Sequence, residues 1–350
     1  MKIKITILLT WFVLTSGITQ DTLFVNPGFQ PNGVTTFATL QEAIDAASSS
    51  DVLYVYPGGY SGVTTVNKTL HLIGRGYEIA ENYPNTYVNN ASVYQLDINS
   101  NGANSIVEGI TVRNLRIQAA DNCLISRNKI ETAIIYDCSN VVLSSNYIGN
   151  SNITNPTSNI PGCTTSTSRA TIITSGVGNL LIINNIIRRS TNEIWTWRDS
   201  QCGDFGYSSH VVFRSNYTDG RVIFPLTSFV AEDNQLKYAN DLSLYVPYGL
   251  IRRNVWVSRS LPSNNLQLSS LDFIAQFGNS TSFDGQYQLL PNAPSKGYAS
   301  DGGDVGPFGG PMPYKLSGVT ALPFIYQLQV PDAVPAGNGV QVTVKVKTEN

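Results

Sequence analysis

One apolar–polar pattern recurs along the chain: an apolar residue, two variable residues, Asn, one variable residue, then usually another apolar residue. It reads Ile125-Ser-Arg-Asn128-Lys-Ile130, Leu143-Ser-Ser-Asn146-Tyr-Ile148 and Ile182-Ile-Asn-Asn185-Ile-Ile187. It continues as Phe213-Arg-Ser-Asn216-Tyr-Thr218, Ala231-Glu-Asp-Asn234-Gln-Leu236 and Ile251-Arg-Arg-Asn254-Val-Trp256. An earlier copy, Val107-Glu-Gly-Ile110-Thr-Val112, has Ile in the Asn position. The anchor positions are spaced 18, 18, 39, 31, 18 and 20 residues apart, so the period is 18 to 20 with two interrupted repeats. Six residues before each anchor runs a second column: Asn104, Asn122, Asn140, Asn179, His210, Ser228 and Tyr248.

A fixed short period means that each repeat is one turn of a solenoid, unable to bury its apolar face alone. Stacked turns lie about 4.8 Å apart, so the apolar columns merge into one elongated core. Asn suits a stacking column because its amide both donates and accepts, and because it tolerates turn backbones. A leucine-rich repeat has a similar period but needs a denser Leu consensus than this chain has. The pattern therefore predicts an all-β, parallel-stranded solenoid.

Ahead of the repeats, Leu40, Ala43, Ile44 and Ala47 fall at helical spacing behind Thr39, a plausible N-cap. This helix is predicted to cover the open end of the solenoid, where apolar cross-section and unpaired edges would otherwise meet water. A strand Val52-Leu-Tyr-Val-Tyr56, a turn Pro57-Gly-Gly-Tyr60 and a strand Leu70-His-Leu-Ile-Gly74 follow. At the far end come Asp284-Gly-Gln-Tyr-Gln-Leu-Leu-Pro-Asn-Ala-Pro-Ser-Lys-Gly297 and Asp301-Gly-Gly-Asp-Val-Gly-Pro-Phe-Gly-Gly310. In these features the chain resembles the pectin-lyase-like superfamily of right-handed parallel β-helices over about residues 22 to 310. The resemblance implies a right-handed parallel β-helix at 20–310; its motifs are specific for the fold and weak for an activity.

Residues 311–350 are read as a C-terminal extension with two strands, Phe324–Val330 and Val340–Val346, the second alternating apolar and polar. They are an edge cap or small appendage, or else the remnant of a β-sandwich module. At the other terminus, Lys2 and Lys4 precede an apolar run from Ile5 to Leu14 and then small and polar residues. This is the layout of a signal peptide, expected to span 1–19 and to send the chain outside the cell or to its surface. No later run is long enough to span a bilayer, so no membrane span is expected in the mature chain.

Charged residues are only 13% of the chain and the formal net charge is -2, without a basic stripe, which argues against nucleic acid as partner. An extracellular polysaccharide is the expected partner class; oligomeric state stays open. The repeat interruptions, at about 149–168 and 198–209, would wall a strand column that includes Ala133–Tyr136, Ala170–Thr174 and Ile194–Trp197. The groove between them would carry Trp195, Trp197, Arg198, Asp199, Asp204, Phe205, Tyr207 and His210. Aromatic faces pack on sugar rings and Arg takes carboxylates bidentately, so the cluster suits an acidic sugar chain. Equally, Trp195 and Trp197 would serve to pin the insert, and His210 occupies the Asn column at a turn.

Cys163 and Cys202 follow their anchors by the same 17 residues in consecutive turns and form a candidate disulfide. Cys123 shares a column with Val141, Leu180, Val211 and Phe229 and is expected to be a buried thiol. Arg214, Glu232 and Arg252 share an outward column and are expected to form a structural ion ladder. Polygalacturonase-like members carry an Asp-Asp pair and Gly-His-Gly, and pectate-lyase-like members an Arg-x-Pro-x-x-Arg segment; this chain has none of them. Asp301 and Asp304 look structural. No cofactor or metal is expected, with calcium reserved for the case of a lyase. Two functions therefore stand: a carbohydrate-interacting or structural β-helix without catalysis, and a lyase or hydrolase using the groove.

Overall fold

The computed structural model describes residues 20–83, 89–149, 170–188, 193–196, 210–219, 221–222, 228–237, 249–257, 262–329 and 342–347. Residues 1–19, read from the sequence as a signal peptide, lie outside the described residues. Alternating apolar residues build two long sheets, of eleven and thirteen strands, in which every pairing is parallel. The fold is an all-β parallel solenoid, as the repeat predicts.

In the first sheet the inward residues stack as Leu23, Leu53, Leu72, Val107, Ile125, Leu143, Ile182, Phe213, Ala231 and Ile251. None of them is more than 6% exposed. The neighbouring column holds Cys123, buried among Val141, Leu180, Val211 and Phe229 as expected. Below Phe229 the column narrows to Gly249, where a Cβ would lie 2.4 Å from the Phe229 ring.

The second sheet begins with four long strands, Gly58–Val66, Ala91–Ile98, Thr111–Gln118 and Lys129–Tyr136. Beyond them it divides. Lys129 and Ile130 pair with Tyr147–Ile148, whereas Ala133 to Tyr136 pair with residues of Ala170–Ser175. Ala133 pairs with Ile172, so the register sits two residues away from an Ala133–Ala170 alignment. One branch continues as Ile186–Ile187, Tyr217–Thr218, Gln235–Leu236, Val255–Val257 and Leu266–Leu268. The other continues as Glu193–Thr196 and Arg221–Val222.

At the corner between the sheets runs the expected Asn ladder. The Oδ1 of Asn146, Asn185, Asn216, Asn234 and Asn254 each accepts from the backbone N–H of the anchor Asn before it, at 2.9–3.0 Å. Each side-chain amide in turn donates to a strand carbonyl at 2.7–2.9 Å, as Asn146 does to Ile125. The ladder starts on the backbone N–H of Ile110 and finishes on Asn265, which satisfies Asn254. The residue before each anchor from Arg127 to Arg253 is left-handed, with φ between 52° and 60°. That conformation turns the chain sharply at one residue, and the buried amide satisfies the backbone groups the corner leaves over.

The second column is a ladder too, exposed rather than buried. Asn122, Asn140 and Asn179 donate in succession to Asn104, Asn122 and Asn140 at 2.9–3.1 Å, all at φ between 53° and 63°. His210 continues it at φ 56° and is exposed.

The helix Leu40–Ala46 opens with a capping box between Thr39 and Glu42 and buries Leu40, Ala43 and Ile44. From Ser269 onward the chain returns along the outside of the solenoid toward its N-terminal end. Along this strap Ser300 bonds Asp233, Pro307 accepts from Asn184, Met312 accepts from Ser145, Ser317 accepts from Tyr77, and Thr320 donates to Gly74. Gly318 lies so close that a Cβ would meet the Arg127 carbonyl at 2.3 Å. Residues 311–320 are thus held against the scaffold, and Phe324–Gln329 and Thr343–Lys347 then form an antiparallel hairpin. Val344 and Val346, on one side of the second strand, are 50% and 56% exposed.

Glu232 sits between Arg214 and Arg252, at 3.5 and 2.5 Å. It is only 6% exposed, so this ladder is more buried than a surface ion pair. Asp301 accepts from the Gly303 backbone and Asp304 pairs with Lys296 at 2.6 Å, both serving turns.

Candidate functional site

Trp197, Arg198, Asp199, Asp204, Phe205 and Tyr207, and the cysteines Cys163 and Cys202, lie outside the described residues. Trp195 is placed by its backbone, which pairs with Ile173. His210 belongs to the exposed turn column described above.

Ile173 stands in a row that contains a cluster the sequence reading did not single out. Asp97, Arg116, Ile134, Ile173 and Trp195 follow one another by register on the divided sheet. Their neighbours in the strands, Leu96, Leu115, Ala133 and Ile172, are buried at 0–1% and point inward, so Asp97, Arg116 and Ile134 belong to the outer side. Flanking rows hold Gln95, Asn114 and Thr132 on one side and Gln118 and Tyr136 on the other. A further column, Tyr94, Arg113 and Glu131, begins the face.

The groups are partly ordered by one another. Gln95 holds Asp97 through its amide, at 2.9 and 3.1 Å to the two carboxylate oxygens. Arg113 lies 5.3 Å from the Tyr94 ring centroid and 3.4 Å from the Glu131 carboxylate. Tyr136 is only 3% exposed and, among the described residues, its hydroxyl has no hydrogen-bond partner. Burial raises its pKa, with Arg116 pulling the other way. The phenol therefore stays protonated at neutral pH as a buried donor. Polar residues at alternate positions of Thr111–Gln118 were the available signal, but the first long strands precede the Asn anchors that drew attention.

Between the short-strand branch and the strap lies a second cleft of about 390 Å³ that includes Arg188, Asp219, Lys237 and Tyr287. Arg188 pairs with Asp219 at 2.8 Å and bonds the Tyr287 hydroxyl, which fastens the strap to the scaffold. Cys123 and Cys138 are free and buried, and burial pushes their thiols up to about 11 and about 12. Such thiols are poor nucleophiles at neutral pH. Among the described residues no three His, Cys, Asp or Glu side chains gather to hold a metal ion. No helix among them is long and apolar enough to cross a membrane.

The face and the fold together define a parallel β-helix with a polar, partly preorganised strand surface. No protein-family model matches the chain, and no curated protein matches it.

Proposed function

We propose that this chain is an exported or cell-surface β-helix of pectin-lyase-like type that binds a polysaccharide along the outer face of its second sheet, without catalysing a reaction. The observation that carries the reading is the array of Gln95 and Asp97 on one strand and Asn114, Arg116 and Gln118 on the next. Strands about 4.8 Å apart present planar polar groups and a guanidinium in a regular order. A sugar chain offers hydroxyls at a comparable repeat, and Arg116 would favour an acidic one.

The absence of catalysis is argued from the carboxylates. Asp97 and Glu131 lie two strands and three residues apart by register. Glu131 is engaged by Arg113 and Asp97 by Gln95.

A panel of acidic and neutral polysaccharides in affinity electrophoresis tests the proposal. Retardation by an acidic polymer, abolished in Asp97→Ala/Arg116→Ala, is expected. New reducing ends, or ultraviolet absorbance from an unsaturated uronate, would replace binding with catalysis; no retardation by any polymer would remove the reading altogether.

A further inference from the structure

At the N-terminal end of the first sheet, on a different sheet from the face above, the outward residues are aromatic. Phe24, Tyr54 and Tyr56 lie close together, Phe24 with ring centroids 5.6 Å from Tyr54 and 6.3 Å from Tyr56. Phe29 extends the group, 6.3 Å from Tyr56 and 59% exposed. Phe24, Tyr54 and Tyr56, with Val55, Arg75, Leu322 and Pro323, line an open cleft of about 280 Å³. Its second wall is the end of the strap, so the cleft exists only because the chain returns to this point.

Aromatic rings facing solvent on a strand surface are explained by packing only if something covers them, and here a cleft is left between them and the strap. Arg75 adds a second, independent feature. It is half-buried, its guanidinium lies 5.5 Å from the Tyr56 ring centroid, and among the described residues it makes no hydrogen bond or ion pair. By contrast Arg113, Arg188, Arg214 and Arg252 each meet a carboxylate. A guanidinium has five donors in a planar fork that matches a carboxylate.

We propose that this cleft binds a carboxylate-bearing sugar residue, the ring stacked on Tyr54 and its neighbours and the carboxylate taken by Arg75. A purely apolar occupant would leave the guanidinium fork unused. A neutral sugar would use the rings and forgo the charge. The volume is at the small end of ligand clefts, roughly 300–1,000 Å³, which suits one sugar unit of a chain rather than a long segment. The inference does not rest on the second-sheet reading, and either can stand without the other.

Saturation-transfer NMR titrations of the full chain with methyl β-glucuronide, methyl β-glucoside and benzoate test it. The glucuronide should bind about tenfold more tightly than the glucoside, the margin of one charge-assisted bidentate contact. Arg75→Gln should bring the glucuronide down to the glucoside's affinity and leave the glucoside unchanged, whereas Tyr54→Ala should weaken both. Arg253→Gln, at the opposite end of the first sheet over Tyr298, should leave all three affinities unaltered. Equal binding of the two glycosides to the unsubstituted protein would overturn the proposal. So would glucuronide binding as tight in Arg75→Gln as in the unsubstituted protein, or weakened to the same extent by Arg253→Gln. Benzoate binding as tightly as the glucuronide would mark an aryl-anion site and overturn the assignment to a sugar.

Discussion

Replacing Asn146 by Ala removes one rung from the middle of the buried ladder. The Oδ1 of Asn146 accepts from the Asn128 backbone at 2.9 Å and from its side-chain amide at 3.3 Å. Its own amide donates to Ile125 at 2.8 Å and to Asn185 at 3.1 Å. In the variant the Asn128 side chain keeps the Val107 carbonyl, and Asn185 keeps the Asn146 backbone N–H. What is orphaned is the Asn128 backbone N–H, at a residue that is 0% exposed. A buried donor without a partner costs about 1–3 kcal/mol, and the lost bond to Ile125 adds about 1 kcal/mol. The sum is about 2–4 kcal/mol, read as a lowered urea midpoint in far-UV circular dichroism at unchanged slope. Asn140→Gly is the matched control. That rung is exposed and sits at φ 58°, which glycine adopts freely, so its loss should cost less than about 1 kcal/mol. Equal costs for the two variants would refute the argument that burial, rather than the ladder pattern as such, makes the rung matter.

Asp284 should be the principal latch of the strap: it is 0% exposed and accepts from Asn82, Tyr314 and the Ser317 backbone at 2.7, 3.1 and 2.6 Å. Asp284→Ala should loosen the strap, read as faster proteolytic cleavage between residues 284 and 320, and unchanged cleavage would count against it. Burial raises the Asp284 pKa, so between the usual carboxylate range and that raised value the folded chain binds more protons than the unfolded one. Its contribution to stability therefore grows as the pH falls through this window and is lost as the pH rises; the difference between the unsubstituted protein and Asp284→Ala in urea melts across pH should show that slope, and the opposite slope would contradict it. Cys123 and Cys138, with thiols raised to about 11 and about 12, should resist iodoacetamide at pH 8 in the native chain and react once it is unfolded. Gly249→Ala should cost about 1–3 kcal/mol by forcing the Phe229 ring aside, and Phe229→Leu in the same chain should recover part of that loss in thermal melts.

The solenoid was legible because its cause is periodic. A buried corner amide is required once per turn, so Asn128, Asn146, Asn185, Asn216, Asn234 and Asn254 mark the turns whatever the length of chain between them. The Thr39 cap, the buried Cys123 and the Arg214–Glu232–Arg252 ladder were legible for the same reason, since each follows from neighbours along the chain or from the stacking register. The face carrying Asp97, Arg116 and Tyr136 was less visible. Its strands precede the first Asn rung, and its residues come together only when three strands are set side by side.

By itself the sequence determined that this chain coils as a parallel solenoid, where the coils fall, and which end the helix covers, because spacing alone sets which residues stack. Only the tertiary structure decided where the strap runs. The bond between the Tyr77 and Tyr314 hydroxyls, 2.6 Å long, joins residues 237 positions apart and leaves no period to read. The same return path brings Leu322 and Pro323 opposite Phe24, Tyr54 and Arg75, and so makes a cleft from segments that share no pattern in the chain.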